Sequence, residues 1–75
     1  MKQKIELLDT VALREDLPER GLLQGEVGTV VEILGPSAYE VEFSDDEGQT
    51  YAEFALRNDQ LIVLHNQGRG LRIAA

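Results

Sequence analysis

Apolar and polar residues alternate in short runs along this chain, a pattern typical of half-buried β-strands. The clearest run is YEVEFS, which places Tyr39, Val41 and Phe43 on one face. Glu40 and Glu42 fall on the opposite face of the same run. The pattern therefore predicts a strand over residues 39–44 with one face in the core and the other in water.

Four other runs predict strands around this one. The run over residues 27–34 is rich in β-branched side chains, which favour extended backbone. The run over residues 49–56 places Ala52, Phe54 and Leu56 on its inner side and Tyr51 on the outer side. The remaining two predicted strands cover residues 8–14, where Val11 shares a parity with the preceding Leu7, and residues 61–64.

Glycine, proline and short polar residues separate these runs. Residues 15–26, EDLPERGLLQGE, predict a long surface loop, because Pro18 and two glycines punctuate it. The sequence GPS ends the second strand, and Asp46-Glu47-Gly48 predicts a tight turn with Gly48 at positive φ. Residues 58–60 predict one turn of 3-10 helix, and residues 65–75 predict a frayed tail.

Five short strands without a long amphipathic helix predict an all-β fold, a small five-stranded barrel. Closure would also remove the open strand edges that promote aggregation. The alternative is an α+β fold with a helix over residues 11–19, which Pro18 and the β-branched start of that segment disfavour. We predict one domain over residues 1–64, followed by the tail over residues 65–75.

Several blocks of the chain together resemble a family of small bacterial proteins of unknown function, DUF4926. The blocks are LLDTVALREDLPERGLLQGEVGTVVEIL, AYEVEFSDDEGQTYAEFAL and RNDQL, within residues 6–64. The resemblance implies an SH3-like barrel, and it implies no catalytic or binding residues because the family has no assigned activity. The tail lies outside the pattern.

A second stretch, GEVGTVV at residues 25–31, is similar to the glycine-bearing turn of KOW-type SH3-like modules. In ribosomal and transcription factors such modules contact RNA. They surround this turn with Lys and Arg, whereas this chain has Glu26 and Glu32 there. The glycines are explained by shape, since a small barrel bends sharply where Gly25 and Gly28 lead into a strand.

Composition excludes several kinds of chemistry. The chain has no cysteine and one histidine, so disulfides and sulfur-ligated zinc are excluded and no metal or cofactor is expected. His65 is the only histidine available as a base for the Ser and Thr hydroxyls, and no phosphate-binding motif is present. Glu40 and Glu42 lie on a wet strand face without a predicted cleft. We therefore expect a non-catalytic protein.

The N-terminal sequence MKQKIELLDT has no long apolar stretch, and no run approaches the roughly 18 apolar residues of a membrane span. A cytoplasmic location is the expectation. The formal net charge is −7, and it is unevenly distributed. Residues 26–59 hold nine acidic residues and one basic residue, Arg57. Such a surface repels nucleic acid and anionic bilayers and attracts basic partners.

Charge and the lack of catalytic groups predict an acidic protein-interaction module. Its partner would be a basic protein, which it neutralises in the manner of an antitoxin or joins as a complex subunit. A charged strand face can also serve solubility alone. The candidate contact residues are Glu40, Glu42, Tyr51 and Glu53, with Asp45, Asp46 and Glu47 at the rim.

Two alternatives remain open at this stage. An RNA-binding module would need its arginines to converge on the turn at residues 25–28; these arginines are Arg14, Arg20, Arg57, Arg69 and Arg72. A self-associating domain would use an exposed strand or the tail, where Leu71 and Ile73 alternate with Arg72.

Overall fold

The computed structural model describes residues 3–64, and this part of the chain is all-β, as predicted. The predicted tail lies outside the described residues. The strands are β1 (Thr10–Leu13), β2 (Val27–Gly35), β3 (Ala38–Ser44), β4 (Thr50–Arg57) and β5 (Leu61–Val63). Two 3-10 turns accompany them, Pro18–Arg20 and the predicted Asn58–Gln60.

The five strands form one antiparallel, open sheet with the order β4-β3-β2-β1-β5. β3 pairs along most of its length with both β2 and β4, which makes this the most extensive part of the sheet. The two-residue connection Pro36-Ser37 joins β2 to β3, and the predicted turn with Gly48 at a φ of 82° joins β3 to β4. β4 and β5 do not pair with each other within residues 3–64, and the SH3-like form of the fold stays a prediction.

One face of the sheet carries the hydrophobic core, and we call it the inner face. The predicted alternation in β3 is confirmed, since Tyr39, Val41 and Phe43 are all buried. Their strand neighbours in the core are Val11, Leu13, Val30, Leu56 and Leu61, with Ala52, Phe54 and Val63 partly buried beside them. The predicted inner side of β4 is therefore confirmed as well.

The long loop before β2 contributes to the core, although its composition indicates a surface loop. Leu17 and Leu22 are both buried, and their backbones exchange two hydrogen bonds of 2.9 and 3.2 Å. Between them the chain makes the 3-10 turn Pro18–Arg20, which sequence reasoning missed, and Gly21 follows it at a φ of 70°. The loop is thus a small hairpin whose two leucines anchor it to the sheet.

The first strand begins two residues later than predicted. The Glu6 backbone N–H donates to Asp9 Oδ2 at 2.8 Å, and the Asp9 N–H donates to the Glu6 carbonyl at 3.1 Å. These bonds close a turn in which Leu8 has a φ of 72°. Leu7, which by parity would be buried with Val11, is therefore turned outward and is 54% exposed.

At Gly28, β2 has no room for a side chain against β3. A Cβ atom on residue 28 would lie 2.8 Å from the Glu42 carbonyl oxygen, 2.8 Å from Val41 Cγ1 and 2.9 Å from Phe43 Cδ1. Real Cβ contacts are not that short, so only glycine fits between the strands. Gly25 has a different role, since its φ of 89° belongs to the turn before β2.

Candidate protein-interaction surface

The register of the sheet brings four glutamates together on its outer face. Glu42 in β3 lies opposite Glu53 in β4, and Glu40 in β3 lies opposite Glu32 in β2. Residues opposite each other in antiparallel strands have Cβ atoms about 5 Å apart, so both are pairs of adjacent like charges. We call this group of four residues the glutamate cluster.

A β-bulge places Glu32 in this cluster. Val30 pairs with Val41, but the next pair is Glu32 with Glu40, so β2 contains one extra residue at Val31. Strict alternation from buried Val30 would direct Glu32 to the inner face. The extra residue reverses that parity and moves the carboxylate to the outer face. Sequence reasoning missed Glu32 as a site residue, since alternation within one strand does not show a bulge.

The pKa of Glu40 reflects its position among these carboxylates. Partial burial raises the pKa of Glu40 above its usual 4.5, and a hydrogen bond with Glu53 together with the negative charges of Glu53 and Glu32 raises this pKa further. Within residues 3–64 the ion pairs are Lys4–Glu6 and Arg57–Asp59, and neither includes a member of the cluster. No cation of the described chain therefore neutralises these four carboxylates by a direct ion pair.

Tyr51 borders the cluster on β4, and its predicted exposure is confirmed at 52%. Its hydroxyl donates to Glu26 Oε1 at 2.7 Å. That hydrogen bond, partial burial and the charges of Glu26 and Asp45 together raise the pKa of Tyr51 to about 12. The neighbouring Thr50 hydroxyl donates to Glu42 Oε2 at 2.6 Å. Glu26 and Thr50 thus orient two predicted site residues, and no local pattern indicated either contact.

Asp45 at the β3–β4 turn has a structural role. Its Oδ1 accepts hydrogen bonds from the backbone N–H groups of Glu47 and Gln49, both at 2.9 Å. Asp side chains commonly stabilise turns in this way. Asp46 and Glu47 are exposed at the tip of this turn. Asp45 is therefore best explained by the turn that it holds.

An apolar row adjoins the glutamates on the same face. Val27 in β2 lies opposite Ala12 in β1, and Ala12 lies opposite Ile62 in β5. Val27 and Ile62 are 48% and 39% exposed. Val27 precedes Thr29 by two residues, and Thr29 lies opposite Glu42, so the apolar row runs directly beside the acidic one. The outer face therefore offers both exposed apolar side chains and negative charge.

The described arginines each contact a different part of the fold. Arg14 donates to the Leu61 carbonyl at 3.3 Å, and Arg57 pairs with Asp59 at 3.0 Å. The guanidinium of Arg20 lies 4.5 Å from the ring centroid of Phe54. None of these three contacts involves the turn at residues 25–28, where an RNA-binding interpretation would need them to converge. The other two arginines of that interpretation, Arg69 and Arg72, lie outside the described residues.

Residues 3–64 contain no group of three or more His, Asp or Glu side chains arranged to hold a metal ion. In the same part of the chain, no helix has the length and apolar character needed to cross a membrane.

Of the comparisons with known proteins, the one with protein families agrees with the resemblance of the sequence blocks. Neither the curated proteins nor the solved structures contain a match to this chain. A model of a domain of unknown function, DUF4926, matches residues 7–63, which include all five strands and the whole outer face. The chain therefore belongs to the DUF4926 family.

Proposed function

We propose that the protein is a non-catalytic interaction module whose outer sheet face binds a basic segment of another protein. The observation that carries this proposal is the glutamate cluster, four carboxylates in direct cross-strand register without an ion-paired cation among the described residues. Like charges directly opposite each other in a sheet reduce its stability. Lys or Arg side chains from a partner would relieve this repulsion.

The neighbouring apolar row supports a partner segment of mixed character. Val27 and Tyr51 are exposed beside the carboxylates, and Ile62 is exposed at the far end of the apolar row, in β5. A segment that alternates basic and aliphatic side chains would contact the glutamates and the apolar row at once. In protein interfaces, aromatic side chains such as Tyr are enriched among the residues that contribute most of the affinity, whereas charge complementarity chiefly affects specificity and association rate.

Charge would also determine how the complex forms. The acidic face attracts a basic partner over distances of about a Debye length, roughly 8 Å at physiological ionic strength. Association is then fast at low salt and slower at high salt. Within this class, the protein neutralises a basic neighbour, as an antitoxin does, or occupies a place in a larger complex.

The test compares capture of host proteins by the wild type and by a variant with a neutral face. The full chain and the double variant Glu42→Gln/Glu53→Gln are immobilised and exposed to an extract of the native host at low and high salt. We expect one or a few basic proteins that the wild type retains at low salt and releases at high salt, and that the variant loses. The Kd of each is then measured with purified components.

The matched control is Glu15→Gln/Glu19→Gln, which removes the same charge from the exposed loop before β2. This control should retain the partner, because its carboxylates lie outside the outer face. Equal capture by all three chains would mean that net charge alone is responsible. Absence of any basic protein at low salt would also contradict the proposal.

A further inference from the structure

The two edges of the open sheet differ in what covers them. At the β5 edge, the side chain of Gln3 accepts from the Val63 N–H at 3.1 Å and donates to the Leu61 carbonyl. The same amide also donates to the Asn58 carbonyl at 3.2 Å. The side chain therefore occupies backbone groups that an added strand would need. Covering an edge in this way is a common protection against pairing with another chain.

Within residues 3–64 the β4 edge has such a cover only at its last residue, where the Arg57 N–H donates to Gln60 Oε1 at 2.8 Å. β4 is eight residues long, and its backbone pairs with β3 alone. The strand contains no proline and no lysine, the residues that most often block an edge, and its charged residues are Glu53 and Arg57. A long unblocked edge presents a row of unpaired N–H and C=O groups to another strand.

We propose that β4 pairs antiparallel with β4 of a second copy of this chain, with the twofold axis at Phe54. The two sheets then form one continuous ten-stranded sheet with both inner faces on the same side. The glutamates remain on the outer face of each copy, although Glu53 and Tyr51 then belong both to this interface and to the proposed partner-binding surface. The partner is a second copy because the side chains of β4 complement those of another β4 strand.

The register follows from side-chain parity and charge. Opposed residues must lie on the same face, so the twofold axis passes through a residue rather than between two. Two registers overlap seven residues, one centred on Glu53 and one on Phe54. Centring on Glu53 would place that carboxylate opposite its own copy, which is repulsive.

Centring on Phe54 instead places Glu53 opposite Ala55 of the second copy, diagonal to its Arg57 on one side and to its Glu53 on the other, which is a weaker repulsion than direct opposition. Diagonal side chains about 7 Å apart allow a long Arg to reach a Glu. Tyr51 lies opposite the same Arg57, which permits a cation–π contact. By symmetry each attraction occurs twice.

Phe54 gives the interface an apolar centre. Its ring packs against the core but stays only partly buried at the edge of the inner face. The Arg20 guanidinium lies over the ring. In the proposed pair the two Phe54 rings meet at the axis and remove each other's exposed edges from water, which favours association.

A charge exchange across the interface tests the proposal. Sedimentation equilibrium of the full chain should show reversible association from 8.3 kDa to twice that mass. Glu53→Lys brings a second cation near Arg57 of the other copy, and Arg57→Glu brings a second anion near Glu53. Each variant should weaken the dimer about tenfold, and the double variant should restore it to within about threefold of wild type.

Glu32→Lys is the matched control. It makes the same change in net charge on the outer face, but β2 lies two strands from the β4 edge. Its dimer should be no weaker than that of wild type. Circular dichroism confirms that each variant is folded. A wild-type chain that stays monomeric at about 1 mM, or a double variant no better than the single ones, overturns the proposal.

Hydrogen exchange provides a second measurement. Backbone amides in β4 should become more protected as protein concentration rises, because the second copy covers them. Amides of β5 should show no such dependence, since Gln3 already occupies that edge. Protection of β4 that is independent of concentration in a monomer would mean that the chain covers its own edge, and this would overturn the proposal.

Discussion

The two faces of the sheet differ in whether their side chains attract or repel one another. On the inner face apolar side chains interlock, Gly28 allows β2 and β3 to approach, and the described residues include no buried side-chain N or O atom without a hydrogen-bond partner. On the outer face glutamate opposes glutamate twice, and burial and repulsion raise the pKa of Glu40. The inner face is arranged for stability, whereas stability does not explain the outer face. Substitutions on the inner face should therefore lower the free energy of unfolding, whereas substitutions that remove glutamate repulsion on the outer face should raise it.

The largest effect is expected on the inner face at Gly28. Gly28→Val forces side-chain atoms against the Glu42 carbonyl and the Val41 and Phe43 side chains, all within 3 Å of the new Cβ. Because one of these contacts is backbone, relaxation is limited, and we expect a loss of about 3 kcal/mol in the free energy of unfolding. Urea denaturation followed by circular dichroism measures it.

Gly35→Val in the same strand is the control, because no heavy atom lies within 4 Å of a Cβ at residue 35 and its φ is ordinary. It should change stability by no more than about 0.5 kcal/mol. If Gly28→Val unfolds at the same urea concentration as wild type, the close packing of β2 on β3 is wrong.

The second prediction concerns the buried polar residue beside the core, Asn58. Its Nδ2 donates to the Gln3 carbonyl at 2.9 Å and approaches the Tyr39 hydroxyl at 3.4 Å. Asn58→Ala leaves these oxygens without that donor and should cost about 2 kcal/mol. Asp59→Ala, which removes only an exposed ion pair with Arg57, should cost well under 1 kcal/mol. Similar losses for both variants would contradict this assignment.

The third prediction concerns the outer face, where a substitution should raise the free energy of unfolding instead of lowering it. Glu53→Lys replaces a repulsion of Glu42 and Glu40 by an attraction, so it should raise the free energy of unfolding by up to about 1 kcal/mol. The measurement uses dilute protein, so that association does not contribute. Glu19→Lys, the same change in the exposed loop, should have a smaller effect. The difference should shrink in high salt, because screening weakens the interaction between these charges.

The smallest effect is the pH dependence caused by Glu40. Since the folded-state pKa of Glu40 is raised above 4.5, its contribution favours folding below that pH and is lost as the pH rises through the raised pKa. Glu40→Gln has no carboxyl group to ionise, so the variant does not lose this stability as the pH rises, and its side-chain amide can still donate to Glu53. The variant should match wild type near pH 4 and become relatively more stable toward pH 7. A stability difference that does not change with pH would contradict the assignment of this titration to Glu40.

Local pattern was sufficient for much of the fold and for part of the site. Alternation in YEVEFS determined the inner face of β3 and placed Glu40 and Glu42 outward, because side chains in a strand alternate whatever the strand pairs with. Gly48 was predictable as a positive-φ residue, because a tight turn that joins two antiparallel strands, here at DDEG, needs a residue at positive φ. Tyr51 and Glu53 followed from the same parity in β4. These features depend on residues adjacent in sequence.

Other features required contacts between distant residues. Leu17 and Leu22 look like loop residues until their hairpin folds onto the sheet, and Leu7 follows the pattern of β1 until the turn at Leu8 directs it outward. Gln3 covers β5 across more than fifty positions of sequence. No local pattern encodes such contacts, because they depend on how the elements pack.

The sequence by itself determined an all-β chain with an acidic middle and a strand that has one wet, glutamate-bearing face. Only the tertiary structure decided that the glutamates oppose one another, because the register between strands and the bulge at Val31 set which residues meet. It also decided that Gln3 covers the β5 edge, whereas in the described residues the β4 edge is covered only at Arg57. Strand parity is a property of the backbone alone, whereas register and edge protection depend on side chains from several elements at once.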